Sequence, residues 1–196
     1  MHSRTTFSVA STALEWGHTR RMSRYCERIA RLSGEPPDRC NQIRLATVLH
    51  DIGKTGIPVA ILLKPGPLTA GERTIMRTHS EIGYRILSGS HDELLDLAAS
   101  VALTHHERMD GSGYPRRLSR KEIPVEGRIA AIGDVFDALT SDRVYRRALS
   151  VEQALDIMQA ARSSWFDPDL LDLFVASFER SRESLRVAPS AQPALC

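Results

Sequence analysis

The sequence predicts an all-α fold, a single-domain helical bundle built from most of the 196 residues. Apolar residues recur three and four positions apart along most of the chain, which is the spacing of one helix face. Glycine and proline interrupt this pattern at intervals, and no segment shows the alternation of apolar and polar residues that is typical of a strand. With 42% hydrophobic residues, a chain of this length can bury one core.

The first half of the chain predicts four helices. The first begins near Leu14, and Asp38 is expected to cap the second, which leads into His50 and Asp51. Thr69 and Glu72, three positions apart, match a capping box. They predict one continuous helix up to Ile86, and a fourth helix spans about residues 93–105.

The second half begins with residues 107–124, which are rich in Gly, Arg and Pro and predict an ordered loop. A helix from about Gly127 follows, and Ser150 with Gln153 is expected to cap the next one. The pair Asp167-Pro168 opens the last helix, which is expected to end near Leu185.

The domain organisation follows from these elements. We expect a short lead-in at 1–13, one domain at 14–184 and a disordered tail at 185–196, which has little to bury. Such a chain works alone or is the catalytic part of a longer protein that includes a regulatory receiver or sensor domain, and the sequence leaves both possibilities open.

Composition excludes several classes of protein. A net charge of +2 argues against a protein that coats a nucleic-acid polymer. Three cysteines with no close pairing favour a reducing compartment over a disulfide framework, and we therefore expect a cytoplasmic protein. No stretch approaches the ~18 apolar residues of a membrane span.

Side chains that bind divalent metals occur in five separated segments of the chain. They are His18, His50, Asp51, His79, His105, His106 and Asp134. One such residue alone would more often be a hydrogen-bonded core residue or a helix cap. Several of them in otherwise apolar segments would be costly to bury without a shared partner, and a metal cluster between helices would satisfy all of them.

Four motifs in this order resemble one known family. They are His50-Asp51-Ile52-Gly53-Lys54, then His79, then residues 105–115 with His105-His106 at the start and Gly113-Tyr114-Pro115 at the end, then residues 134–143 beginning with Asp134. The chain resembles HD-GYP domains, a bacterial subgroup of the HD phosphohydrolase superfamily, over about residues 14–184.

The resemblance implies a metal-dependent phosphodiesterase that hydrolyses a cyclic dinucleotide, usually cyclic di-GMP, to linear pGpG, with a second cut to GMP left open. It implies two divalent ions, iron or manganese, and no organic cofactor. One ion would be held by His18, His50, Asp51 and Asp134, and the other by Asp51, His79, His105 and His106, with Asp51 bridging. Members with three metals have an acid four residues before the first histidine. Leu14 occupies that position here, and Glu15 is offset by about 100° around the helix, so two metals are predicted.

The expected mechanism is attack by a hydroxide that bridges the two metals. Asp51 and Lys54 are the predicted catalytic residues, and Lys54 is also expected to contact a phosphate. The resemblance further implies that Arg143 and Arg146 bind the second phosphate. Each of these cations could instead lie on a solvated face.

Two loop residues have open roles. Tyr114 is expected to bind substrate, by bonding a phosphate or lining the pocket, or else to form a protein-docking surface with Pro115. Glu107 is expected to orient a ligand histidine.

Two alternative functions remain open. One is a phosphodiesterase for another cyclic dinucleotide or an ordinary nucleotide. The other is a low-turnover module that senses a cyclic dinucleotide or docks partner proteins. For none of these functions do we expect contact with a membrane.

Overall fold

A computed structural model describes residues 3–142 and 147–187, with side chains for 17–142 and 147–180. Within these residues the chain is helical and has no strand, which confirms the all-α prediction. The α-helices are α1 (Ser3–Leu32), α2 (Pro37–Thr47), α3 (Val59–Leu62), α4 (Ala70–Arg77), α5 (His79–Leu87), α6 (Glu93–Thr104), α7 (Val125–Thr140), α8 (Val151–Ala160) and α9 (Pro168–Val187). Two 3-10 helices span Ile52–Gly56 and Arg120–Glu122. Among the described residues, no helix combines the length and the hydrophobicity that a membrane span requires.

The long helix α1 forms one side of the core and packs against α2, α7 and α9. Met22, Cys26 and Ile29 of α1 are fully buried there. Phe136 on α7 and Phe174 on α9 meet edge to face with ring centroids 5.0 Å apart, a favoured aromatic geometry. This packing fixes α1 and α7 relative to each other, and these helices contain His18 and Asp134.

Helix α6 forms the centre of the bundle and packs against α2, α5 and α7. Ala98, Ala102 and Val101 are fully buried, and such small side chains let neighbouring helices approach closely. The 3-10 helix Ile52–Gly56 packs on α5. As a result, the end of α6, the start of α5 and the turn after α2 converge.

Both predicted capping boxes are confirmed. Thr69 with Glu72 caps the start of α4, and Ser150 with Gln153 caps the start of α8. The predicted cap at Asp38 is wrong. Helix α2 begins after Pro36, and Asp38 lies in its first turn, because a proline at the first helical position supplies the helical φ without needing a capped N–H.

The prediction of one helix through residue 86 is also wrong, since α4 and α5 are separate helices that meet at Thr78. The Thr78 N–H bonds the carbonyl of Ile75, three residues back, which is a tighter turn than that of an α-helix. No residue of α4 is buried, whereas His79, at the start of α5, is. The apolar spacing continues through the break, which is why the sequence did not indicate it.

We predict that Gly53→Ala destabilises the fold. A β-carbon at Gly53 would overlap the carbonyl oxygen of His79 and lie 2.5 Å from the nitrogen of Gly83. Since both neighbours are backbone atoms, the free energy of unfolding should fall by about 1–3 kcal/mol, as measured by urea denaturation. Gly71→Ala is the matched control, because no atom lies within 4 Å of a β-carbon there. Equal stability of the two variants would contradict the prediction.

Candidate metal centre

His50 and Asp51 lie in the hydrogen-bonded turn that follows α2. The His50 N–H bonds the Thr47 carbonyl at 3.3 Å, and the Ile52 N–H bonds the Leu49 carbonyl at 3.1 Å. The 3-10 helix begins at Ile52 directly afterwards. This compact turn directs the two adjacent side chains into one cavity. In a regular α-helix the same two side chains would point about 100° apart.

A first group of potential metal ligands consists of His18 on α1, His50 in the turn and Asp134 on α7. One ligand atom of each lies within 4.8 Å of the others. The Nε2 of His18 is 3.5 Å from a carboxylate oxygen of Asp134. Three segments far apart in sequence therefore present their ligand atoms to one small volume.

A second group consists of His79, the first residue of α5, with His105 and His106 at the end of α6. Their ligand atoms also lie within 4.8 Å of one another, and the Nε2 atoms of His79 and His105 are 3.5 Å apart. His79 and His105 are each 2% exposed. Two buried imidazole nitrogens this close require a proton or a cation between them.

Asp51 contacts both groups. Its Oδ2 lies 3.2 Å from Nε2 of His50, and its Oδ1 lies 3.4 Å from Nε2 of His79 and 4.0 Å from Nε2 of His105. The buried atoms His50 Nε2 and Asp51 Oδ1 have no hydrogen-bond partner. Such groups are costly in a folded protein, and divalent cations bound between the groups would satisfy both. The residues present therefore fit a divalent metal centre.

Backbone carbonyls fix the orientation of three of the histidines. The Nδ1 of His50 donates to the Thr47 carbonyl at 2.9 Å, and the Nδ1 of His79 donates to the Met76 carbonyl at 2.8 Å. The Nδ1 of His105 lies 3.1 Å from two carbonyls of α6. Because a carbonyl only accepts, Nδ1 holds the proton and Nε2 directs its lone pair at the centre.

Burial and charge shift the pKa values of four of these five groups, all except His50, in the direction that metal binding needs. Burial lowers the pKa of His79, lowers that of His105 to about 4 and lowers that of His106 well below its usual range. Burial opposes ionisation of Asp51, but His50 and Lys54 outweigh it and hold the pKa of Asp51 well below its usual value. For His50 burial is outweighed by the adjacent Asp51 carboxylate, and its pKa is raised. Neutral imidazoles beside an ionised carboxylate are the protonation states of metal ligands.

Comparison with known families identifies this arrangement. The family model of the HD domain matches residues 9–170. The chain belongs to the HD-domain family. HD phosphohydrolases use divalent metal ions, and the two ligand groups described above form a His/Asp cluster that suits such ions.

Several curated proteins resemble this HD domain. The "3'3'-cGAMP-specific phosphodiesterase 2" of Vibrio cholerae is 44% identical over 88% of this chain and 33% of that protein. The "Cyclic di-GMP phosphodiesterase" of Thermotoga maritima is 46% identical over 81% of this chain and 43% of that protein. The response regulator RpfG of Xanthomonas campestris, also named a cyclic di-GMP phosphodiesterase, is 45% identical over 78% and 40%. These similarities confirm the predicted membership of the HD-GYP subgroup. The chain spans less than half of the length of these relatives.

Two solved structures share the fold. A cyclic GMP-AMP specific phosphodiesterase of V. cholerae superposes with a TM-score of 0.62 at 20% identity, over 84% of this chain and 44% of that chain. The PgpH HD domain of L. monocytogenes, in complex with cyclic-di-AMP, superposes with a TM-score of 0.58 at 15% identity, over 87% and 92%. At this identity the likeness concerns the fold alone.

The HD domain brings together all seven predicted metal ligands with Lys54 and Tyr114. The Nζ of Lys54 lies 2.5 Å from Asp51 Oδ2. The ring of Tyr114 stacks on His106 at 4.7 Å between centroids. Gly113 permits this approach, because a β-carbon there would lie 2.5 Å from the nitrogen of Arg108.

Other predicted features lie outside the described part of the chain. Arg143 and Arg146 are not among the described residues, nor is the end of the predicted tail, 188–196. Leu14 and Glu15 belong to α1, but their side chains lie outside the described set. The substrate role of the two arginines and the count of two metals therefore stay predictions. Helix α1 begins at Ser3, so that most of the predicted lead-in is the start of that helix.

The prediction that Glu107 orients a ligand histidine is wrong. Its buried carboxylate accepts the backbone N–H of Arg116 at 2.7 Å and that of Leu118 at 3.0 Å. The loop folds back over Glu107, and these backbone donors occupy both carboxylate oxygens. Glu107 therefore holds the loop that contains Tyr114.

Asp137 performs the role that was expected of Glu107, and the sequence reasoning missed it. Its fully buried carboxylate accepts from Nδ1 of His18 at 2.8 Å and forms two bonds to Arg21, at 2.6 Å and 3.0 Å. These partners hold the pKa of Asp137 below its usual value against the opposing effect of burial. Its spacing supplies the missed signal, because Asp137 follows Asp134 by three positions and shares its helix face.

We predict that Asp137→Asn weakens metal binding by about 10- to 100-fold, since the partner that orients a ligand histidine is lost. A competition titration with a chromophoric chelator measures this affinity. Asp172→Asn is the matched control, because Asp172 forms the same two-bond contact with Arg162 on the surface, at 2.8 Å and 2.6 Å. Equal affinities in the two variants would show that Asp137 does not position His18.

We predict that the metal-free protein loses stability as the pH falls from about 6.5 to about 4. The unfolded chain takes up a proton at His105 near pH 6.5, whereas the folded chain does so only near its pKa of about 4. Stability therefore falls with pH across this window, on the order of 1–3 kcal/mol, and His79 and His106 add to the loss while His50 opposes it.

Urea denaturation of chelator-treated protein between pH 7.5 and pH 4.5 measures this loss. His105→Gln should make this pH dependence shallower than in the parent protein. An equally steep loss in His105→Gln would contradict the prediction.

Proposed function

We propose that this HD domain is a metal-dependent phosphodiesterase that hydrolyses cyclic di-GMP to linear pGpG. The observation that supports the proposal most directly is the position of Asp51, whose carboxylate contacts ligand histidines of both groups. Relatives that are 45% and 46% identical are named for this activity. Because the chain spans less than half of their length, the activity is a proposal for this chain.

In this hydrolysis the oxygen of water bonds to phosphorus while the bond between phosphorus and the 3′ oxygen breaks. The phosphate stays on the 5′ oxygen, and the 3′ oxygen leaves as a hydroxyl group. Divalent ions held by the two ligand groups would polarise a phosphoryl oxygen and lower the pKa of a water molecule. The ammonium of Lys54, 35% exposed beside Asp51, supplies a flexible positive charge for a phosphate oxygen. The ring of Tyr114 stacks on His106 and covers one side of the centre.

We propose two ions, iron or manganese. The donors are imidazoles and carboxylates, which suit these metals. Of the cysteines, Cys26 and Cys40 are buried in the core and outside both ligand groups. An all-cysteine structural zinc site is therefore a poorer match.

A second substrate, 3′3′-cGAMP, is favoured by one observation. The Vibrio cholerae relative that is 44% identical over 88% of this chain is named for that substrate. The bond that breaks is chemically the same in both cyclic dinucleotides, so that only groups that contact the bases can distinguish them.

Partners and location remain predictions. Tyr114 contacts His106 and Arg77 with its ring, which favours a role in lining the site over a free docking surface. A protein partner at the Gly113-Tyr114-Pro115 loop, a receiver or sensor domain outside this chain and a cytoplasmic location are proposed on the resemblance and the composition.

The test is metal content together with turnover, measured on protein purified without oxygen. We expect about two divalent ions per chain and conversion of cyclic di-GMP to pGpG, followed by chromatography. Asp51→Asn should abolish turnover. Lys54→Met should retain the metals and lower kcat by about 100-fold, since one donor to the developing charge is lost.

Lys64→Met is the matched control for Lys54→Met. Lys64 forms a comparable pair with Glu72 at 2.6 Å, outside the centre, and its loss should leave kcat unchanged. A full metal content without cleavage of any cyclic dinucleotide would favour the low-turnover sensing or docking module instead. Protein that binds no metal after reconstitution with iron and manganese would overturn the proposed mechanism.

A further inference from the structure

An open cleft of about 500 Å³ lies beside the metal centre, between α4, α5 and the loop at 111–117. This volume is typical of small-molecule sites. Tyr114 is a wall of the cleft and also belongs to the centre, because its ring stacks on His106. A ligand bound at the metals could therefore extend into the cleft.

Three charged side chains line the cleft, Arg77, Glu81 and Arg117, and the first two form no ion pair among the described residues. Arg77 and Glu81 both line it and are four positions apart, a spacing that often forms an ion pair. Within the described residues they do not pair, and the guanidinium of Arg77 lies 4.9 Å from the ring centroid of Tyr114 instead. Arg85 reaches only the backbone carbonyl of Glu81. A carboxylate and a five-donor guanidinium are thus available to a ligand in one opening.

This pair of groups matches guanine. Guanine presents two adjacent donors, N1–H and the N2 amine, that a carboxylate accepts together, and its O6 and N7 are a preferred target of arginine. Adenine presents an acceptor at N1 beside the N6 amine, so that a carboxylate faces a lone pair there. The ring of Tyr114 lies between His106 and the guanidinium of Arg77, so that it supports Arg77 at the wall of the cleft.

We propose that the cleft is the base-recognition site for a guanine of the substrate, with Glu81 accepting from N1–H and the N2 amine and Arg77 donating to O6 and N7. The inference rests on the proposed phosphodiesterase function and deepens it. One guanine satisfies the cleft, so cyclic di-GMP and 3′3′-cGAMP both fit, whereas cyclic di-AMP does not. Glu81 and Arg77 are thus specificity-determining residues.

The test compares kcat/KM for these three cyclic dinucleotides in the parent protein, Glu81→Gln and Arg77→Lys. Glu81→Gln should lower kcat/KM about tenfold for the two guanine-containing substrates. It should leave cyclic di-AMP unchanged or better used, because a glutamine amide can pair with adenine. Arg77→Lys keeps the charge but loses the two-pronged donor, and should show the same selective loss. Glu93→Gln, at an exposed glutamate that begins α6, should leave all three values unchanged.

Equal losses on all three substrates would assign these residues to phosphate binding or to structure and overturn the base assignment, as would the absence of any loss in Glu81→Gln. If the parent protein hydrolyses none of the three, the proposed function fails by that result alone. Calorimetry with GMP and AMP then decides the cleft separately. Selective GMP binding that Glu81→Gln removes would support the assignment, and equal binding of both nucleotides would overturn it.

Discussion

A carboxylate with an oxygen buried away from water needs positive or hydrogen-bonding partners, and the partly buried Asp51 carboxylate finds them in side chains from several parts of the chain. Nε2 atoms of three histidines lie within 4.0 Å of it, and Lys54 lies at 2.5 Å. One of its oxygens still lacks a hydrogen bond. The surrounding structure holds this charge in place, and a divalent cation is the partner that completes its environment.

The bundle meets this requirement at the ends of helices. His50 and Asp51 follow α2, His79 begins α5, and His105 and His106 follow α6. A backbone carbonyl has two lone pairs, and here carbonyls of the last helical turns accept the Nδ1–H groups of three histidines beside their own backbone bonds. The last turns of these helices thus orient the predicted metal ligands.

Two further contacts extend the site beyond the ligands. Asp137 on α7 accepts one hydrogen bond from His18 and two from Arg21, both on α1, at 3.0 Å or less. The packing of α1 on α7 therefore controls where His18 lies. On the other side, Tyr114 links His106 to the cleft that contains Arg77 and Glu81. The chemistry of bond cleavage and the proposed recognition of the base therefore share one aromatic side chain.

The order and identity of the ligand residues are properties of the sequence, because each of them lies in an otherwise apolar or glycine-bounded segment where an unpartnered polar group would be costly. The helical class and two capping boxes also follow from local spacing, since caps involve residues only three positions apart. Tertiary structure decided the rest. The break at Thr78 separates α4, which has no buried residue, from α5, which begins with the buried His79. The partner of His18 lies 119 positions away on α7, and the donors to Glu107 come from a loop that folds back on itself. Local sequence cannot fix such contacts, because they exist only once distant segments have packed together.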